Sequence, residues 1–119
     1  MAAPNIVNVS NITGKTAVAL LTTSNIDMIT NAASSGKVYK VNSFIVSNVN
    51  GAAAAQVTVS LIRNSTEYKV ASTIYVPANA TLVVLAKDAA FYMEEGDVLR
   101  AVASANNYLH AVASYESIS

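Results

Sequence analysis

The chain of 119 residues has no cysteine and no tryptophan. Without thiols there is no disulfide framework, no thiolate nucleophile and no Cys-ligated zinc, so packing alone must supply stability. The absence fits a reducing cytosol and says little more about compartment. Ionic groups are scarce too: charged residues make up 12% of the chain, about half the usual share for soluble domains. Seven basic residues balance seven acidic ones. No net field steers the protein onto nucleic acid or an anionic membrane, and neither partner is expected. No apolar run approaches the roughly 18 residues of a membrane helix. Residues 1–10, "MAAPNIVNVS", lack the basic and apolar regions of a signal peptide, so synthesis in the cytosol is expected. Only four glycines and two prolines serve the turns. Asparagine is therefore expected to take several left-handed positions. Composition does not break anywhere, and no repeat or linker stands out, so residues 1–119 read as one domain with one core.

What is present is apolar and uncharged. Hydrophobic residues reach 53%, alanine and valine prominent among them, and asparagine, serine and threonine must cover the surface. Such a surface repels its own copies weakly, which favours self-association. Periodicity selects strands over helices. Tyr68, Val70, Ile74 and Val76 alternate with Lys69, Ala71, Thr73 and Tyr75, and Val57, Val59 and Leu61 do the same in "QVTVSLIR". Both runs are rich in β-branched residues. Further short runs, "NIVNVS", "KTAVALLT", "KVYKVNSFIVSNV", "ATLVVLA", "DVLRAVAS" and "YLHAVASY", are separated by turn signals. That spacing indicates a β-sandwich or barrel.

The bends carry their own signals. Asn50-Gly51 supplies two residues tolerant of positive φ. Pro77 stops a strand because it cannot donate to the ladder. Glu94-Glu95-Gly96-Asp97 joins "FYM" to "DVLRAVAS", and Asn106-Asn107 joins that run to the last one, so three consecutive antiparallel strands are expected over 91–115. Residues 24–35, "SNIDMITNAASS", allow two readings. Ser24 with Asp27 resembles a capping box and Ile26 and Ile29 have helical spacing, but Ile26, Met28 and Thr30 alternate and their polar neighbours weaken a helix. A strand is favoured. Ala52 to Ala55 are too few for a helix and read as a hairpin rim of small residues.

Candidate chemistry is thin. Glu94, Glu95 and Asp97 lack the alternating ligand pattern of a calcium loop, and charges on a bend ordinarily mark solvated surface. His110, the one histidine, has no nucleophile and orienting group at recognisable spacing. No nucleophile elbow, phosphate loop or His-rich metal spacing occurs. Tyr39, Tyr68, Tyr75, Tyr92, Tyr108 and Tyr115 would suit packing better than a stacking platform. Asn8, Asn11, Asn64 and Asn79 start glycosylation sequons, of little weight in a chain so rich in these residues. We therefore expect no enzyme, with no catalytic, cofactor-binding or metal-binding residues and no cofactor.

The bends and runs together carry a resemblance. Val76-Pro77-Ala78 ahead of "TLVV", Tyr92 to Arg100 as "YMEEGDVLR", and the ending Ser114 to Ser119 resemble small virion structural proteins of tailed phages, especially those of marine cyanobacteria. In that family the middle motif has leucine where Met93 stands, and the ending usually has a second acid. The resemblance covers nearly the whole chain from about residue 5. It implies an all-β, antiparallel, jelly-roll-like sandwich of about eight to nine short strands, present in many copies on the particle. It does not fix the location on the particle; a capsid decoration or cement protein in contact with the major capsid protein is the favoured expectation, since it suits a single compact domain. A neck, tail or baseplate component is the alternative, and a receptor- or glycan-binding module a second one. Localisation would be the virion, after synthesis in the host cytoplasm.

Two features bear on such a role. Residues 1–11 lack charge and could extend as an arm that adds a strand to a neighbour. "DVLRAVAS" is apolar on both faces, with Val98 and Val102 on one and Leu99, Ala101 and Ala103 on the other, as if a second layer or subunit covered it. A homo-oligomer is expected, and a trimer if it follows the symmetry of virion sites.

Overall fold

Strands occupy the period-two runs. The computed structural model describes residues 10–119. In chain order the strands are β1 (Ile12–Leu20), β2 (Ile26–Thr30), β3 (Val38–Asn48), β4 (Ala55–Arg63), β5 (Thr66–Val76), β6 (Thr81–Leu85), β7 (Phe91–Met93), β8 (Val98–Ala103) and β9 (Leu109–Ile118), with a 3-10 turn at Lys87–Ala89. The fold is all-β, and every pairing among the described residues is antiparallel. One sheet runs β1-β9-β3-β6, with β7 also on β3, and the other β2-β8-β4-β5. The two halves of the chain thus wrap as one long folded ribbon: β1 lies against β9, β2 against β8, β3 against β6 and β4 against β5. This is a jelly roll, two sheets face to face with their inner side chains forming the core.

The core explains the spacing. Phe44, Leu21, Met93, Leu99, Leu109, Val41, Val46, Val57, Val59 and Val76 are fully buried between the sheets, and Ala101, Ala111 and Ala113 let them approach. Segment 24–35 contains the favoured strand, β2, but not with the expected face. A bulge between Asp27 and Ile29 shifts the alternation, so Ile29 rather than Thr30 follows Ile26 inward. A similar shift at Val41/Ser43 in β3 re-aims the strand about Asn42. β8 is buried along Leu99, Ala101 and Ala103, while Val98, Arg100 and Val102 are half-buried with no second layer over them among the described residues. β5 departs further from its pattern. It is an edge strand with two register shifts against β4, and Tyr68, Ile74 and Tyr75 stay exposed while Val76 is buried.

The bends also differ from expectation. The runs over 91–115 are three strands that do not pair with one another: β7 lies in the first sheet, β8 in the second and β9 in the first. The acidic bend and Asn106-Asn107 are crossovers between layers. Asn50-Gly51 likewise carries the chain from β3 to β4 in the other sheet, and neither residue has positive φ. The tight hairpin lies at Asn64-Ser65, joining β4 to β5 with φ 52° and 62°, the signature of a primed turn. Asparagine does take left-handed positions, at Asn64, Asn79 and Asn107. Of residues 1–11, the two described are bonded to the C-terminus: Ser10 and Asn11 N–H both donate to the Ser119 carbonyl, at 2.8 and 2.9 Å. The rest of the expected arm lies outside the described residues.

Candidate functional site: the acidic crossover and the sheet surfaces

The acidic crossover is the densest cluster of ionisable groups. Asp97 immediately precedes β8 and is buried, with 2% of its surface exposed. It accepts from Arg63 Nε at 2.9 Å and also from Arg63 Nη2, a bidentate pair, and from the Glu94 N–H at 2.7 Å. Glu94 reaches the same guanidinium at 3.1 Å. Arg63 ends β4, so this cluster ties the β4–β5 hairpin to the β7–β8 crossover. Bonding to Asp97 raises the Arg63 pKa above its ordinary value. Glu95 accepts from the Gly36 N–H at 2.9 Å, which draws in the β2–β3 loop.

Asn31 completes the knot. Fully buried, it donates to the carbonyls of Lys37 and Met93 and accepts from the Ser35 hydroxyl, while its backbone pairs with Gly96 and Asp97. Each of the three carboxylates is therefore engaged within the fold: Asp97 and Glu94 share the Arg63 guanidinium, and Glu95 is held at Gly36. Among the described residues no group of three or more His, Cys, Asp or Glu is placed to hold a metal ion. Asn48 plays a matching part at Asn50-Gly51, donating to the carbonyls of Ala53 and Val76 and accepting from the Asn50 N–H.

His110 lies elsewhere. It is exposed on the outer face of the first sheet, paired in register with Leu20 on β1 and Ser47 on β3. A shallow open depression there is lined by Val18, Leu20, His110 and Val112 with the backbone neighbours Ala19 and Ala111. The neighbours of the imidazole are apolar or hydroxyl-bearing, and the acidic crossover does not contribute to this face. The tyrosines are not gathered either. Tyr39 and Tyr115 pack as a tilted pair with ring centroids 5.3 Å apart, while Tyr68 and Tyr75 stand on β5 and Tyr92 on β7 in the other sheet.

The sheet surfaces themselves are more informative. Across the outer face of the second sheet runs a polar ladder. Asp27 pairs with Arg100 at 2.9 Å, and the Ser60 hydroxyl donates to Glu67, which also pairs with Lys69 at 2.9 Å. The Ser60 bond, then Lys69, lowers the Glu67 pKa. Across the outer face of the first sheet the corresponding row is Val18, Val112, Ile45 and Val83, with Val18 72% and Val83 58% exposed. Sequence reading missed both rows, because register decides which residues of distant strands share a face.

Neither a protein-family model nor a curated protein matches the chain. Solved structures do share its fold. One is a protein of Bacillus endospore appendages, which form disulfide-linked pili: 14% identity, 91% of this chain and 88% of that one, TM-score 0.52. Another comes from the acid-stable capsid of the Helicobacter pylori bacteriophage KHP30: 10% identity, 94% of this chain and 90% of that one, TM-score 0.52. At these identities the likeness is one of fold, a β-sandwich that serves in a phage capsid and in a bacterial appendage. It does not extend to a marine-cyanophage family in particular.

Proposed function

We propose that the chain is a structural protein of a phage particle, a capsid decoration or cement protein present in many copies and not an enzyme. The observation that carries this reading is the use of the ionisable groups. The acidic crossover is occupied in holding the layers together, and what the molecule offers outward is broad, weakly charged sheet surface. A whole-length likeness in fold to a phage capsid protein supports the same class, and the bend and C-terminal motifs resemble those of virion proteins. Partners would be the major capsid protein and further copies of the chain, with residues 1–11 as a bridging arm and the trimer of virion sites as one arrangement. Localisation would be the virion.

The appendage likeness supports a second reading, a subunit of a fibre or tail. Disulfide linkage of the kind named for those pili is closed to this chain, which has no cysteine. Copies would have to join without covalent bonds. Labelling the protein in intact particles and imaging the label separates the readings. Label over the capsid shell is the expected result. Label confined to the tail or tail tip would replace decoration with the second reading, and its absence from particles would end both.

A further inference from the structure

A sheet edge offers unpaired N–H and C=O groups to any strand that reaches it, and proteins ordinarily blunt such edges. Among the described residues, three of the four sheet edges are blunted. β5 carries two register shifts, Glu67, Lys69 and a residue at positive φ, Thr73. β2 and β6 have five residues each, and each is interrupted by a register shift. β1 is different: nine residues, in unbroken register with β9 from Ile12 to Leu20, with Lys15 its one charge. No strand among the described residues covers its other side.

Its hydrogen-bonding phase can be read from both ends. Asn11 exchanges both backbone bonds with Ser119, and the Leu21 N–H donates to the Leu109 carbonyl. Bonded pairs alternate along an antiparallel ladder, so the odd residues of β1 are spent on β9. The even ones, Ile12, Gly14, Thr16, Val18 and Leu20, aim their N–H and C=O groups at the open edge. These same residues put their side chains on the outer face, where Ile12 is 59%, Val18 72% and Leu20 45% exposed. Ala17 and Ala19 pack inward.

We propose that β1 pairs antiparallel with β1 of a second copy, about a two-fold axis through Thr16. The strand is complementary to itself in that register. Thr16 faces Thr16, Ile12 faces Leu20, and Val18 faces Gly14, where nothing lies within 4 Å of a Cβ position. Lys15 falls opposite Ala17. Shifting the pairing by two residues one way sets Lys15 directly against Lys15, which is destabilising. Shifting it the other way leaves Ile12 beyond the end of the ladder. The in-register pair alone uses every even residue, and a two-fold contact needs one patch twice, so a second copy is the occupant. The two first sheets become one continuous sheet, and the row from Val83 to Val18 runs on over Gly14 of the neighbour.

A strand pair of roughly 30 Å buries less than the roughly 1,200 Å² of a standard interface, so the contact is weak in solution and gains from the crowding of copies on a lattice. It joins copies in pairs, so a trimer would have to use another surface. The proposal deepens the assembling role argued above but is tested apart from it, on the isolated full-length chain.

Sedimentation up to about millimolar concentration should show a reversible monomer–dimer equilibrium, in the roughly micromolar to millimolar range of weak contacts. Thr16→Lys sets two ammonium groups face to face on the axis and should weaken dimerisation about tenfold or more, with the circular dichroism spectrum unchanged. Thr16→Pro removes an N–H that only the neighbour would use and should act likewise. With no native thiol to interfere, Thr16→Cys should be joined into dimers by a short thiol cross-linker, and Val83→Cys on the opposite edge should not. A chain monomeric throughout the range, a trimer without dimer, or dimerisation unaffected by Thr16→Lys would overturn the proposal, and each of these results is independent of where label lies on the particle.

Discussion

Arg63 and Asp97 show what a scarce charge does in this molecule. The carboxylate is removed from water, which costs several kcal/mol unless its lone pairs are filled, and here Arg63 and the Glu94 N–H fill them. Arg63→Met should therefore destabilise the protein by about 3 kcal/mol, because it strands a buried charge rather than because it deletes an attraction. Adding Asp97→Asn should return part of that loss, since the neutral amide tolerates the site better. Urea unfolding of the two single variants and the double variant gives the coupling between the residues. Additive losses, or a loss below about 1 kcal/mol for Arg63→Met, would show that the pair is a surface ion pair in energetic terms.

Thr73 makes the same point for an element. A β-branched residue at φ 51° sits in the left-handed region that costs L-residues about 1–2 kcal/mol, and it does so inside β5 where the register slips against β4. The Thr73 N–H donates to the Thr58 hydroxyl at 3.0 Å, so the slip is held in place by the neighbouring strand. Thr73→Asn should raise stability by about 0.5–1 kcal/mol, read as an increase in Tm. A decrease would mean that the threonine side chain, beside Ser72 at 3.3 Å, returns more than its backbone costs. Strands such as β4 were legible because period-two burial is a local property, and Val57 and Val59 lie where alternation puts them. The faces of β2 and β5 were not, because bulges at Asp27/Ile29 and along β5 break the period without a marker residue. Pairing was hidden for a related reason. Asn50-Gly51 and Glu94 to Asp97 report a bend, but the sheet that the next strand joins depends on residues far along the chain. Glu94 is solvated as a bend charge should be, but Asp97 is buried, and that was hidden because its partner, Arg63, is 34 positions away.

At the scale of the whole molecule, the order of synthesis and the order of assembly conflict. β9 is made after the other eight described strands, yet it lies between β1 and β3, and β1 has no other partner in its sheet among the described residues. The first sheet cannot close until residues 109–118 are available, and β8 brings β2 into the second sheet in the same late stage. Such non-local pairing makes folding slow, on the order of milliseconds to seconds. A chain ending at Asn107 would leave the inner faces of β1 and β3 without Leu109, Ala111 and Ala113, all buried in the core. Without β9 the first sheet loses both of the ladders that join β1 to β3 along with that buried apolar surface, a large perturbation for a domain of ordinary stability, roughly 5–15 kcal/mol. That shortened chain should lack a cooperative thermal transition and be cut rapidly by protease across its whole length. Rescue by a separate peptide of residues 108–119 would show that β9 adds as a late strand to a waiting sandwich. A shortened chain that melts cooperatively by itself would instead place the stability of the fold in the second sheet and its hairpin at Asn64-Ser65.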